Sequence, residues 1–92
     1  MAHNVEHDTK YQQFTIKLDN EEAELAYATP SPDQIDFTHT FVPQSARGQG
    51  LVGVLMEAGM RYASDNNLKV KATCPAAANY LSKNPQHNHL LL

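Results

Sequence analysis

A change of hydrophobic period between residues 34 and 73 narrows the folds open to this chain more than any other feature. Over 34–42, QIDFTHTFV, apolar and polar positions alternate. Ile35, Phe37, His39 and Phe41 share one face of the predicted strand, and Asp36, Thr38, Thr40 and Val42 the other. Pro43 stops the pattern because it has no amide to donate. From about Gly50 to Asn66 the spacing turns helical: Leu51, Leu55, Ala58 and Tyr62 recur on one stripe, with Val54 beside them. Asn66-Asn67 can close that helix in the left-handed conformation. At 68–73, LKVKAT, the period returns to two, with Leu68, Val70 and Ala72 on one face. Strand, helix and strand in that order predict a parallel crossover of right hand.

The flanking segments extend the same sheet. Residues 11–18, YQQFTIKL, and 22–28, EAELAYA, read as paired strands joined by a turn at Asp19-Asn20-Glu21. The second rests on the alternation of Ala23, Leu25 and Tyr27 with Glu22, Glu24 and Ala26. Thr29-Pro30-Ser31-Pro32-Asp33 reads as a loop, since two prolines remove donors and fix φ. Pro75 suits the first turn of a short helix over AAANYLSKN, which Asn84-Pro85 ends. Residues 1–9 and 86–92 are expected to be loose, the latter unless the three leucines at the end dock. The predicted fold is mixed α/β: an antiparallel three-strand meander, a β-α-β crossover and a short C-terminal helix, one domain over residues 1–92.

Composition excludes several classes of function. Ninety-two residues carry one small core, and a net charge of -3 with scattered Lys and Arg argues against a nucleic-acid partner. No apolar stretch approaches the roughly 20 residues needed to span a bilayer, so no membrane partner is expected. The start, MAHNVEHDTK, is polar, unlike a secretory leader, and the single cysteine, Cys74, cannot form an internal disulfide. A cytoplasmic protein, monomeric or weakly dimeric, is the expectation. His87 and His89 have no cysteine or carboxylate nearby in sequence, so no metal site is expected. Met56 and Met60, one turn apart, suit core or border positions.

The glycines of Arg47-Gly48-Gln49-Gly50-Leu51-Val52-Gly53 invite two familiar readings, and both fail. GQGLVG fits the dinucleotide fingerprint G-x-G-x-x-G, which needs a tight turn straight after a strand and an acidic residue about 20 positions on. Here Pro43 to Arg47 intervene, and Thr73 and Cys74 stand where the acid belongs. A P-loop would need Lys-Ser/Thr where Val54-Leu55 stand. The physics that remains is a glycine-rich loop entering a helix, with free amides, a helix dipole and Arg47 together favouring a phosphate or pyrophosphate. A loop that merely lets the helix pack close to the sheet is the equal alternative.

The strand ending at Val42-Pro43, the short loop, Arg47-Gly48-Gln49-Gly50 and the apolar helix resemble the coenzyme-A-binding segment of the GCN5-related N-acetyltransferase superfamily, whose signature is Q/R-x-x-G-x-G/A. Arg47 and Gly50 match, and Val52 stands where Gly or Ala is usual, which narrows the room for a pyrophosphate. With Cys74-Pro75 and the A-x-x-x-Y-L-x-x-x-P pattern after it, residues 34–85 are similar to the small single-domain members of that superfamily. The resemblance implies acetyl-CoA as cosubstrate. Its pyrophosphate would lie on the amides of Arg47, Gly48, Gln49, Gly50, Leu51 and Val52, and its pantetheine arm beside Phe41 and Val42, with the thioester entering the splay between that strand and 68–73. Longer members carry further C-terminal strands that build the acceptor pocket, so here that pocket is expected to be open or completed by a partner.

Acetyl transfer to an amine needs a deprotonated amine, a polarised thioester and an acid for the departing thiolate. The resemblance puts Tyr80 at the acid; a tyrosine that packs the short helix on the sheet is equally open. Cys74, following the last strand, would face the cofactor thiol and accept an acyl group if its pKa is lowered; a small buried hydrophobe is the alternative. His39 is the candidate base, or a sheet histidine bonded to a neighbouring strand. Thr38 and Thr40 could orient a water, and Asn79 could bond pantetheine amides or cap locally. The sequence reading is an acetyl-CoA-dependent N-acetyltransferase acting on an amine, either a small molecule or a protein lysine. The alternative is a non-catalytic CoA or acyl-CoA sensing module thioacylated at Cys74.

Overall fold

In a computed structural model describing residues 4–92, one five-stranded sheet runs in chain order: β1 (Val5–Asp8), β2 (Gln13–Lys17), β3 (Glu22–Ser31), β4 (Gln34–Phe41) and β5 (Lys69–Ala72). The first four are antiparallel and β5 is parallel to β4, as the strand–helix–strand pattern requires. A 3-10 turn at Gln44–Ala46 leads to α1 (Leu51–Asp65), which connects β4 to β5. Helix α2 (Pro75–Ser82) follows, then a 3-10 segment, Pro85–Leu90.

The core lies on one side of the sheet. Leu51, Leu55, Met56, Met60 and Ala63 of α1 bury against Phe14, Ile16, Leu25, Ile35, Phe37 and Val70 of β2 to β5, and Ala77 and Leu81 of α2 join them. Gly59 sets the approach of α1: a Cβ there would lie 2.8 Å from the Phe37 ring. The other side of the sheet is polar. Glu6, Lys17 and Glu22 form ion-pair and register neighbours on it, as suits an antiparallel sheet with one wet face.

Four expectations are corrected. Residues 5–8 are not loose; they form β1, because Val5 and His7 alternate toward the core while Glu6 and Asp8 face out. The rest of the expected loose start, residues 1–3, lies outside the described residues. The loop expected at 29–33 is mostly strand: β3 continues to Ser31, Pro30 sits in a pairing irregularity between Ala28 and Ser31 where no ladder donor is needed, and only Pro32-Asp33 connect the hairpin. The meander therefore has four strands. Finally, 86–92 is ordered, since Leu91 bridges Val70 in parallel and the amide of Leu92 donates to Val70 O at 2.9 Å, covering the outer edge of β5.

Candidate functional site

A β-bulge decides which side chains β4 presents where. Tyr27 opposes Phe37 but Ala26 opposes His39, so Thr38 is an extra residue in the ladder. Side chains beyond it exchange faces. Thr40 opposes the fully buried Leu25 and so joins the core side, whereas His39 and Phe41 oppose Ala26 and Glu24 on the wet face. The expected grouping of His39 and Phe41 with Ile35 and Phe37 is thus wrong beyond residue 37. His39 is exposed and no hydrogen bond to its ring is recorded among the described residues.

The same region opens an edge. β5 pairs with β4 only as far as Phe37 opposite Ala72. There the carbonyl of Phe37 accepts from both Thr73 N (3.1 Å) and Cys74 N (3.0 Å), and Asp36 Oδ1 accepts from Thr73 Oγ1 (2.7 Å) and Thr73 N (3.0 Å). These bonds turn the chain away into α2. β4 continues to Phe41, paired with β3 alone. Its other edge, from Thr38 onward, meets no strand among the described residues.

Cys74 stands at the apex of this splay as the N-cap residue of α2, with Pro75 in the first turn. Its side chain is buried, and its Sγ lies 3.5 Å from Thr40 Oγ1. Burial alone pushes the thiol up, yet the Thr40 hydroxyl and the amides of Ala77, Ala76 and Thr40 favour a thiolate, and the balance leaves the thiol below its ordinary value. No regular capping hydrogen bond to the thiol forms, so the two helix amides act as oriented dipoles more than as close donors. Cys74 is therefore both a packed core residue and a tuned thiol.

At the far end of the open edge lies the glycine loop. Gly48 and Gly50 have φ of 84° and 75°, a region that favours glycine, and a Cβ on either would enter open space. Gly50 caps α1 without a side chain, no acid occupies the first turn, and no acceptor among the described residues reaches the amides of residues 48–53. That donor set fits an anion such as a pyrophosphate. Arg47 is exposed and its Nε donates to Val42 O at 3.1 Å, which ties the loop to the end of β4. Gln49 is exposed, Leu51 is buried in the core, and Val52 is half-buried against the core, so its side chain is partly withdrawn from the loop.

Tyr80 is brought to this loop by helix packing: a Cβ on Gly53, in the first turn of α1, would lie 3.3 Å from the Tyr80 ring. The Tyr80 hydroxyl donates to Glu57 Oε2, and the same oxygen is 2.8 Å from His87 Nε2. Burial, then the bond to Glu57 and its charge, push Tyr80 up to about 12. Burial raises Glu57, but hydrogen bonds from Tyr80 and His87 outweigh it and hold the carboxyl below its usual value. Sequence reading missed Glu57 and placed His87 in a solvated tail. The signal was present in Gly53-x-x-x-Glu57, one helical turn apart on α1, but nothing in the sequence marks that face as the one α2 covers. Asn79 is exposed on α2; its backbone carbonyl accepts from Ser82 Oγ at 2.8 Å and from Lys83 N at 3.2 Å, and no hydrogen bond to its side chain occurs among the described residues. No group of metal-binding side chains occurs among the described residues, and no helix there is long and apolar enough to cross a membrane.

Comparison with known proteins adds an independent line. A family model described as GCN5-related N-acetyl-transferase matches residues 13–90. Protein NATD1 of Xenopus tropicalis is 34% identical over 88 residues, spanning 94% of this chain and 81% of its own. Human Protein NATD1 is 33% identical over 88 residues, 94% of this chain and 78% of its own. The solution structure of a GCN5-like candidate N-acetyltransferase from Staphylococcus aureus superposes with a TM-score of 0.79 at 28% identity, covering 97% of this chain and 87% of that one.

Proposed function

We propose that this chain, which belongs to the GCN5-related N-acetyltransferase family, binds acetyl-CoA along β4 and transfers the acetyl group to a primary amine. The observation that carries the reading is the unpaired edge of β4 beyond Phe37, which runs from the tuned thiol of Cys74 to the free amides of the glycine loop. An arm bearing amides can lie along that edge as an added strand would. Its pyrophosphate reaches the amides of residues 48–53 with Arg47 beside them, and its thioester reaches the splay at Thr40 and Cys74.

The acceptor, a small amine or a protein lysine, approaches from the wet face, where His39 and Phe41 project. His39 takes the amine proton, and attack on the thioester carbonyl expels the CoA thiolate. A second reading has its own support. The lowered pKa of Cys74 suits an acyl acceptor, which would make the protein an acyl-CoA sensor thioacylated at that residue.

Titration with acetyl-CoA, followed by amide chemical shifts, tests the site. Shifts confined to residues 38–42, 47–53 and 74–77 are expected. Unperturbed amides in 48–53 at millimolar ligand would sink the assignment. Free-thiol release in the presence of mixed amines then separates turnover from sensing, and mass spectrometry of the protein alone with acetyl-CoA detects an adduct on Cys74.

A further inference from the structure

We infer that Glu57 orients Tyr80 as a hydrogen-bond acceptor for an amide N–H of the cosubstrate's arm, so that Tyr80 grips the cosubstrate and does not supply the proton for the leaving thiolate. This rests on the proposed acetyl-CoA site. The argument begins with the donor inventory. A phenol has one proton, and an ionised carboxylate can only accept. Tyr80 therefore donates its hydroxyl hydrogen bond to Glu57 while keeping the proton, and its lone pairs are what remain for anything else. Glu57 is held in place from a second side, because His87 Nε2 contacts the same oxygen at 2.8 Å. Three elements meet at that oxygen: α1 through Glu57, α2 through Tyr80 and the C-terminal 3-10 segment through His87.

The position of the ring says what the lone pairs face. Tyr80 packs on Gly53, in the turn of α1 whose amides are free, and it is only half-buried. It thus borders the path between the glycine loop and Cys74. A second argument concerns charge. Were Tyr80 to lose its proton, a phenolate would face the Glu57 carboxylate, and like charges in contact oppose that state. Burial first, and then the bond to Glu57 and this same charge, hold its pKa high.

Kinetics of three variants and one titration test the inference. Tyr80→Phe is expected to raise the KM for acetyl-CoA by about threefold to tenfold, the worth of one hydrogen bond, while kcat changes less than about twofold. Glu57→Ala frees the hydroxyl to rotate and should match Tyr80→Phe. Glu57→Gln keeps a carbonyl acceptor at the same reach and should restore the KM toward the parent value. A fall in kcat of about a hundredfold for Tyr80→Phe, with KM intact and the alkaline limb of the kcat profile gone, would overturn the inference, since that is the signature of an acid. If the parent protein fails to bind acetyl-CoA, the site assignment fails on its own. The role of Glu57 is then read from the ring-carbon NMR signal of Tyr80. No ionisation up to pH 11 in the parent, and its appearance below that in Glu57→Ala, supports the orientation; ionisation at the ordinary value of about 10 in both overturns it.

Discussion

Cys74 is the residue where packing and chemistry meet. Its burial was legible from sequence as one of two alternatives, and so was a helix start at Pro75 able to tune it; the hydroxyl that lowers it most was not, because Thr40 lies 34 residues away. Removing that partner gives a direct check. Thr40→Val should raise the Cys74 pKa, so the pH profile of its alkylation rate moves to higher pH, with no loss of fold. A profile unchanged by the substitution would assign the lowered value to the backbone amides of Ala77, Ala76 and Thr40 alone. Gly59 is a second residue whose meaning depends on a distant partner. Replacing a helical glycine by alanine ordinarily adds up to about 1 kcal/mol of stability. Here the new Cβ would lie 2.8 Å from the Phe37 ring, and overpacking costs about 1–3 kcal/mol. The second effect is the larger, so Gly59→Ala should lower the denaturation midpoint by the equivalent of about 1 kcal/mol in chemical unfolding.

The crossover of β4, α1 and β5 was readable element by element, because each buries one face and its apolar residues repeat at the period of its structure. The bulge was not readable. A period-two count assumes an unbroken ladder, so it carried His39 and Phe41 onto the core side along with Ile35 and Phe37. β1 escaped notice for another reason: only Val5 and His7 face inward, and a four-residue strand with three titratable side chains looks like a polar tail. Deleting Thr38 tests what the bulge does. With the extra residue gone, Phe37 and His39 become neighbours in a regular ladder, so His39 keeps the wet face and Thr40 stays beside Cys74. The variant should therefore bind acetyl-CoA within about threefold of the parent while keeping its helical circular-dichroism signal. A loss of about tenfold or more would show that the bulge residue itself, and not only the faces it sets, belongs to the site.

Two contacts near the ends of the described chain hold the outer parts of the molecule. At one end His7 stacks on Phe14 at 4.1 Å between ring centroids and bonds the Tyr27 hydroxyl at 2.6 Å, with Tyr62 of α1 edge-on at 4.5 Å. Burial lowers the pKa of His7, with Asp8 opposing. The neutral imidazole is thus favoured in the fold, and the unfolded chain binds the proton first as pH falls below about 6.5. Stability should therefore decline from pH 7 toward pH 5, and His7→Gln should flatten that part of the curve in urea unfolding. Equal slopes in the two proteins would remove His7 as the cause. At the other end Leu91 lies along β5, and Leu91→Asp should cost about 1–2 kcal/mol by uncovering that edge and losing apolar burial. An unchanged melting temperature would show that the segment rests on the sheet without holding it.

The open side of β4 has a consequence for how this protein behaves in a crowded solution. Unpaired strand edges are templates for one another, and proteins commonly guard them with charge, proline or a covering segment. On the proposed reading the edge beyond Phe37 stays vacant for its guest, while the outer margin of β5 is covered. Solubility and occupancy are therefore linked. If acetyl-CoA is that guest, a concentrated sample stripped of it should self-associate and its addition should disperse the sample, so the proposed cosubstrate would also serve as a chaperone.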